Sequence, residues 1–314
     1  MIRAERDVFQ QLREGIGLPP LPVGGVDLSG GTGNFGIIGY YGYCESPDEA
    51  ALLLEYAPHG DMMRFIAERR ARAASAAAVV SVMPEAEIHA VMRQLLTALE
   101  ATHSSGFAHR DVKPHNLLVT SVSPLQVRLA DFGLAKRVGN SNLWARQNSA
   151  GDYDYMPSQV RERTQEGSPM RRRDYLRSDV YAAGVTMFYL VAGSLPNATD
   201  LAELRIPEVR AARWQHVSPS CLDFLAQLLD EVEDARPFAG ECLVLPWLSS
   251  PPVDAAPGGG MGAPAASDAT SAATLSQRGV SVTHSDFLED DFRTACAPQA
   301  PGDTPSDSDT ETVA

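Results

Sequence analysis

The sequence predicts an α+β protein in which a small mixed lobe is followed by a larger, mostly helical lobe. Residues 37–43 and 51–56 are rich in β-branched, aromatic and leucine residues, which favours two strands. A long apolar stripe after Pro84 indicates a helix, and the pattern from Asp179 onward is helical. Strands followed by a run of helices are typical of this fold class.

The small lobe is predicted over residues 1–57. Val8, Phe9 and Leu12 recur at helical spacing, so we expect a first helix there. The following residues, 15–34, are rich in Gly and Pro and are predicted to form a loop insertion before the first strand. This lobe would therefore hold one helix and two strands.

The helical lobe is predicted over residues 58–248. Its long helix starts near Pro84, since Pro is favoured in the first helical turn. The apolar stripe that it buries consists of Ile88, Val91, Met92, Leu95, Leu96 and Leu99. Residues 116–119 and 127–130 are predicted to be short strands that flank a polar turn.

Residues 249–314 differ in composition from the rest of the chain. They are dominated by Ala, Ser, Thr, Pro and Gly and carry far more acidic than basic side chains. Such a segment cannot bury enough apolar surface to fold by itself, so we predict a disordered acidic tail.

Composition and charge limit the classes of function. The 314 residues carry a formal net charge of -14, which argues against a nucleic-acid-binding surface. The longest apolar run is too short for a membrane span, and the charged start lacks the apolar core of a secretory signal. The four cysteines are far apart, so we expect reduced thiols and an intracellular location, in the cytoplasm or nucleus, without a membrane partner.

Three segments in fixed order carry the chemistry. They are His109-Arg110-Asp111-Val112-Lys113-Pro114-His115-Asn116, then Asp131-Phe132-Gly133, then Ser178-Asp179-Val180-Tyr181-Ala182-Ala183-Gly184. The first two resemble the catalytic loop and the metal-binding turn of protein kinases, at the separation usual in that family. The sequence is identified by this resemblance as a eukaryotic-type protein kinase of the Ser/Thr class over residues 1–248, which implies a two-lobed protein-kinase-like fold.

The resemblance implies catalytic roles for four of these residues. Asp111 would accept the proton of the substrate hydroxyl, and Lys113 would place a cation near the transferring phosphate. Asn116 and Asp131 would supply the oxygen ligands that Mg²⁺ prefers. The implied reaction transfers the γ-phosphoryl group of ATP to a Ser or Thr of a protein substrate.

The resemblance also implies residues that bind the nucleotide. Leu54 falls at the gatekeeper position, Glu55 to Ala57 would offer backbone groups to adenine, and Leu118 would pack on the adenine ring. Each of these positions is equally well explained as an ordinary core or strand residue.

Other positions are structural by the same resemblance. His109 would pack under Phe132, which precedes Gly133 in the metal-binding turn, and Asp179 would brace the backbone of the catalytic loop. Glu5 would pair with the Lys that holds the α- and β-phosphates, although it is equally well a solvated acid in a first turn.

The activation segment, residues 131–159, departs twice from the family pattern. Asp152 replaces the usual Thr and brings a negative charge towards Asp111. Gln159 replaces the usual Glu that pairs with Arg236. The loss of a buried ion-pair partner costs on the order of 3 kcal/mol unless other groups satisfy the guanidinium.

Regulation by an upstream kinase is implied by Arg110, since an Arg before the catalytic Asp is paired in the family by a phosphate on the activation segment. We expect Ser149 to be the acceptor. Asp152 is the competing possibility, because it could act as a fixed negative charge that makes phosphorylation unnecessary.

The sequence lacks a recognisable Gly-rich loop and an ATP-anchoring Lys before the first helix. No Lys precedes Lys113, and the GxGxxG string at residues 31–36 lies after the helix that such a loop should precede. We therefore expect an N-terminally incomplete kinase, or alternatively a pseudokinase that acts as a scaffold or allosteric regulator without catalysis.

Overall fold

The computed structural model describes most of residues 2–250 and one short strand beyond them. The described residues are 2–22, 24–27, 31–46, 49–74, 83–138, 151–215, 217–250 and 272–275. Among them, no helix combines the length and the apolar character that crossing a membrane requires.

The first part of the chain forms a helix that packs on an antiparallel strand pair. Its elements are helix α1 (Ile2–Gly15), a 3₁₀ turn (Gly31–Phe35) and strands β1 (Tyr40–Glu45) and β2 (Ala50–Glu55). Phe9 and Leu12 of α1 are fully buried, and the Phe9 ring stacks on Tyr40 of β1 with ring centroids 5.0 Å apart. Burial of the predicted apolar face therefore fixes α1 on the sheet.

The end of the Gly- and Pro-rich insertion is an ordered 3₁₀ turn, where the sequence predicts only a loop. Gly31, Thr32 and Gly33 are buried, and the Thr32 hydroxyl donates to Ile38 O (2.6 Å) and accepts from Tyr40 N (3.0 Å). A Cβ on Gly36 would lie 2.7 Å from a backbone oxygen of the long helix. The glycines of this string therefore allow close backbone packing.

The second part of the chain is mostly helical. The helices are α2 (Met62–Ala74), α3 (Glu85–Ser104), α4 (Ser158–Glu166), α5 (Arg172–Ala192), α6 (Ala198–Leu204), α7 (Pro207–Arg213), α8 (Pro219–Leu228), α9 (Ala239–Cys242) and α10 (Pro246–Ser249). The long helix begins directly after Pro84, as the sequence predicts, and its apolar stripe is buried against α5.

Two short strand pairs flank the two segments that contain the chemical motifs. Strand β3 (Phe107–Ala108) pairs with β6 (Lys136–Arg137), and β4 (Leu117–Val122) pairs with β5 (Leu125–Leu129). The catalytic-loop segment lies between β3 and β4, and the segment Asp131–Gly133 lies between β5 and β6. The two pairs thus bring both chemical motifs to one region.

Part of the predicted disordered tail forms a strand in the structure. Strand β7 (Ala272–Leu275) pairs antiparallel with β2, from Leu52 opposite Leu275 to Glu55 opposite Ala272. Composition could not indicate this strand, because it depends on the unpaired backbone groups that the edge of β2 offers. The remainder of the tail, residues 251–271 and 276–314, lies outside the described residues.

Candidate active site

The catalytic-loop backbone is fixed by a buried carboxylate. Asp179 of α5 accepts hydrogen bonds from His109 N and Arg110 N, each 2.8 Å long. Arg110 has a positive φ of 71°, a conformation that costs free energy in an L-residue and must be held by its surroundings. One carboxylate of α5 thus binds two consecutive backbone N–H groups at the start of the catalytic-loop segment.

Asp111 is held by two flanking side chains. Lys113 Nζ lies 3.0 Å from Asp111 Oδ1, and Asn116 Nδ2 donates to Asp111 Oδ2 (2.8 Å) and to Asp111 O (2.7 Å). Asp111 and Asn116 are buried and Lys113 is half-buried. The carboxylate is thus oriented, and a cation lies next to it.

The two predicted metal ligands come together through β4 and β5. Ala130 N donates to Asn116 O (2.9 Å), which places Asp131 beside the start of β4. Since both amide hydrogens of Asn116 are used on Asp111, its Oδ1 remains as an acceptor, and Asp131 is exposed. One carboxylate and one amide oxygen fit Mg²⁺ that is also held by phosphate and water. Within the described residues, no cluster of three or more His, Cys, Asp or Glu offers another metal site.

The metal-binding turn is fixed from both sides by aromatic packing. The Phe132 ring lies edge-on to His109 (centroids 4.8 Å apart) and against Phe9 of α1 (5.2 Å). Asp131 has a φ of 61°, and its Oδ1 accepts from Gly133 N (3.2 Å), a local bond typical of a tight turn. The turn is therefore locked to both the catalytic loop and α1.

Glu5 reaches the metal-binding turn from α1. Its Oε1 accepts a hydrogen bond from Phe132 N (3.2 Å). Burial, followed by repulsion from Asp131, raises the pKa of Glu5 to about 6. This position distinguishes Glu5 from a solvated acid in a first turn.

The positions predicted to contact adenine lie at the end of β2 and in β4. Leu54 is buried, and Leu118 is half-buried in β4 opposite Arg128. The backbone N–H of Glu55 donates to Gly39 O (2.7 Å), so it is already used within the sheet. Ala57 O accepts from Gly60 N in the turn that follows (3.2 Å).

Of the activation segment, residues 131–138 and 151–159 are described. Asp152 Oδ1 accepts from Asp154 N (3.1 Å) and caps a 3₁₀ turn (Tyr153–Tyr155), and it lines one small cavity together with Asp111. Ser149 lies outside the described residues.

Gln159 and Arg236 each have one buried polar atom without a hydrogen-bond partner among the described residues. Gln159 Nε2 donates to Glu231 O, while Gln159 Oε1 is buried without a hydrogen-bond partner among the described residues. Arg236 is fully buried, donates to Asp230 O (3.0 Å) and Arg177 O (2.8 Å), and leaves its Nη2 unpartnered within the same part of the chain. Burial lowers the pKa of Arg236 to about 10, which Glu233 partly opposes.

Arg110 and Lys136 converge on one aromatic ring. The Arg110 guanidinium lies 5.8 Å and Lys136 Nζ 4.9 Å from the Tyr175 ring centre, and Lys136 Nζ is also 3.1 Å from the Tyr175 hydroxyl. Lys136, the second of the two lysines in the chain, therefore contacts Tyr175 of α5.

Sequence reasoning missed two residues that support the site. His103 of α3 is buried, and its Nε2 lies 2.9 Å from Asp179 Oδ2. Arg128 of β5 forms an ion pair with Glu55 (3.3 Å). A histidine on the buried face of α3 was a visible signal for His103, whereas the spacing of Glu55 and Arg128 gives no such signal.

Comparison with known families identifies this arrangement. The protein kinase domain profile matches residues 33–248, which is more than half of the chain and includes both chemical motifs. The chain belongs to the protein kinase family. Helix α1 with Glu5 precedes the matched residues.

Relatives of this kinase-family chain are serine/threonine kinases. It is 27% identical over 229 residues to serine/threonine-protein kinase RAD53 of Saccharomyces cerevisiae, which covers 69% of this chain and 26% of the relative. It is 30% identical over 174 residues to calcium/calmodulin-dependent protein kinase type I of Schizosaccharomyces pombe, covering 52% and 49%. It is 28% identical over 222 residues to serine/threonine-protein kinase 17A of Oryctolagus cuniculus, covering 68% and 51%.

The resemblance that the motifs indicate is thus confirmed, as is the α+β kinase fold. The match spans between about a quarter and a half of the length of these relatives. The kinase family as a whole implies ATP binding and protein substrates.

Proposed function

We propose that this chain is a serine/threonine protein kinase that transfers the γ-phosphoryl group of ATP to a Ser or Thr hydroxyl of a protein. The observation that carries the proposal is the convergence of Lys113 and Asn116 on the carboxylate of Asp111, at 3.0 and 2.8 Å. Phosphoryl transfer depends on positioning and on charge neutralisation, and this arrangement offers both. We also propose that the protein is intracellular.

Each residue of the site has a separable task. Asp111 accepts the proton of the substrate hydroxyl through its oriented carboxylate, and Lys113 supports negative charge on the transferring phosphate. Asn116 and Asp131 would hold Mg²⁺, which when bound neutralises charge on the phosphate oxygens. Leu54, Leu118 and the backbone of Glu55 to Ala57 would contact adenine.

Regulation through the activation segment belongs to the same proposal. Arg110 would pair with a phosphate placed on Ser149 by an upstream kinase, and this pairing would order the segment. The Arg110 guanidinium already contacts the Tyr175 ring at 5.8 Å, so a phosphate would bind beside an existing cation–π contact. Asp152 remains the competing source of negative charge.

A pseudokinase scaffold is the second candidate, and one observation favours it. The carboxylate of Glu5 lies beside Asp131 and bonds to Phe132 N, yet no Lys occurs before Lys113 to pair with it or to bind the α- and β-phosphates. We therefore expect this chain to transfer phosphate from ATP slowly.

A phosphorylation assay with Asp111→Asn tests the proposal. The parent should transfer phosphate from Mg²⁺-ATP to a generic Ser/Thr substrate, and Asp111→Asn should lower this rate by about 10²- to 10⁴-fold, the usual contribution of a general base. Asp7→Asn, an exposed acid on α1, is the matched control and should leave the rate unchanged. ATP binding by the parent without any transfer would instead support the pseudokinase.

A further inference from the structure

The insertion between α1 and β1 forms a strap across the edge of the sheet. We define the strap as residues 16–22 and 24–27. Gly24 N donates to Tyr43 O and Asp27 N to Tyr41 O, both at 2.8 Å, so the strap pairs with the edge of β1 that faces away from β2. The strap therefore acts as a short additional strand on an edge that would otherwise be open.

The other end of the strap is tied to the side of α1. Gln10 and Leu21 exchange two hydrogen bonds, since Leu21 N donates to Gln10 Oε1 (2.7 Å) and Gln10 Nε2 donates to Leu21 O. A pair of reciprocal bonds between a side-chain amide and a backbone unit fixes both orientation and distance. The helix is thus connected to the sheet by ordered backbone.

Arg13 is the central contact of this connection. Its side chain is 1% exposed, its Nε donates to Pro19 O (2.8 Å) and its Nη2 forms an ion pair with Asp27 Oδ2 (2.8 Å). A buried guanidinium is costly unless it is paired and hydrogen-bonded, so removal of either partner is strongly unfavourable. One side chain of α1 therefore holds both halves of the strap.

The residues of α1 that reach the active site share a face with Arg13. Glu5, Phe9 and Arg13 are spaced four residues apart, which places them along one side of the helix. Glu5 bonds to Phe132 N (3.2 Å), and the Phe9 and Phe132 ring centroids are 5.2 Å apart. The strap thus contacts this face of α1 at Arg13, and the same face contacts the metal-binding turn through Glu5 and Phe9.

We infer that Arg13 is a positioning residue for phosphoryl transfer. Through Asp27 and the strap it holds α1 against β1, and α1 in turn holds Phe132 and Asp131 in place. Within the described residues, Glu5 bonds to Phe132 N, and the strap supplies a separate contact that fixes the position of α1. The kinetic part of this inference rests on the proposed kinase function, whereas the structural part does not.

Amide hydrogen exchange tests the structural part. In Arg13→Gln and in the isosteric variant Asp27→Asn, exchange in residues 2–15 should be at least about tenfold faster, because local opening of the helix no longer breaks the buried pair. Exchange in α3 and α5 should stay at the parent rate. Arg3→Gln is the matched control, since Arg3 lies on the same helix and pairs with Glu45 at an exposed position.

The outcomes separate the two parts. Equal exchange of α1 in Arg13→Gln and Arg3→Gln would overturn the inference, and so would an Asp27→Asn effect that spreads equally to α3 and α5. Where the parent transfers phosphate, Asp27→Asn should lower kcat about tenfold and leave the KM for the protein substrate unchanged, and an unchanged kcat contradicts the positioning role. Faster exchange in α1 with a parent that transfers no phosphate supports the strap and rejects the proposed function.

Discussion

The imidazole Nε2 of His103 lies 2.9 Å from Oδ2 of Asp179, the carboxylate that binds the backbone of the catalytic loop. A carboxylate can only accept hydrogen bonds, so His103 Nε2 carries the proton and is the donor. Helix α3 therefore helps to orient Asp179, which binds His109 N and Arg110 N. Asp111 is the next residue along the chain, so its position depends on the same contacts. The position of the Asp111 carboxylate therefore depends on His103, a buried residue of α3.

Replacement of His103 should loosen the catalytic loop. We expect His103→Ala to lower the free energy of unfolding by about 2–3 kcal/mol, since a hydrogen bond to a buried charged group is lost. Any kinase activity should fall in kcat rather than in KM. His89→Ala on the same helix is the control, because His89 is also buried and bonds to Ser250 O (3.0 Å), far from the loop in sequence. Equal loss of kcat in both variants contradicts this role.

The chemical motifs could be located from the sequence because their residues are close together along the chain. Helix α3 was also predictable, since its apolar period is long and Pro84 marks its start. The sequence predicts a first strand over residues 37–43, whereas β1 begins at Tyr40. Ile38 N donates to Leu129 O (2.9 Å), so the residues before Tyr40 contact β5 instead of continuing β1.

Contacts between distant segments set the limit of the prediction. The docking of the Gly- and Pro-rich insertion depends on Arg13 and on the edge of β1. The ion pair of Glu55 with Arg128 and the pairing of β7 with β2 likewise join residues more than 70 positions apart. No local pattern encodes such partners, because each becomes a neighbour only after the chain folds.

The contribution of His109 to the stability of this protein should fall below pH 6.5. Its Nδ1 accepts from Asp111 N (3.3 Å) and its Nε2 faces Ala130 O (3.1 Å), which fits a neutral ring. Burial lowers the pKa of His109, an effect that Asp179 partly opposes. The unfolded state therefore binds more protons as the pH falls through 6.5, and the free energy of unfolding decreases by up to about 1.4 kcal/mol per pH unit.

Thermal unfolding at pH 5.5 and 7.5 measures this dependence. His109→Phe keeps a ring against Phe132 but cannot titrate, so it should be less stable at pH 7.5 and should lose less stability on acidification than the parent does. His115→Gln is the control, since His115 is exposed, and it should behave like the parent. A parent and a His109→Phe variant with the same slope would refute the assignment.

Binding of Mg²⁺-ATP should depend on Asp131. At a concentration about 100 times the Kd, the ligand should stabilise the parent by about 2.7 kcal/mol, which raises the Tm by several degrees. Asp131→Asn removes an exposed carboxylate that the sequence predicts to be a metal ligand together with Asn116, so the shift should largely disappear. Asp7→Asn should keep the full shift, and ATP with a chelator should give a smaller one. Equal shifts in Asp131→Asn and the parent would exclude this ligand role.

Gln159→Glu should stabilise the protein. Arg236 is fully buried with its Nη2 unpartnered among the described residues, and the same holds for Gln159 Oε1. The family resemblance implies that a carboxylate at position 159 would pair with Arg236, and hydrogen bonds to charged groups contribute about 1.5–3 kcal/mol. Part of this gain is offset because Gln159 Nε2 donates to Glu231 O in the parent, and a carboxylate at position 159 cannot make this hydrogen bond.

The net effect is measured by thermal unfolding of three variants. Gln159→Glu should unfold a few degrees above the parent, and the double variant Gln159→Glu with Arg236→Met should lose that gain, because the coupling requires the guanidinium. Gln215→Glu, a change of the same kind at an exposed position, should leave the Tm unchanged. If Gln159→Glu lowers the Tm, the contacts of Arg236 with Asp230 O, Arg177 O and the Tyr181 ring already satisfy the buried charge. The missing acidic residue of the activation segment would then carry no cost in this chain.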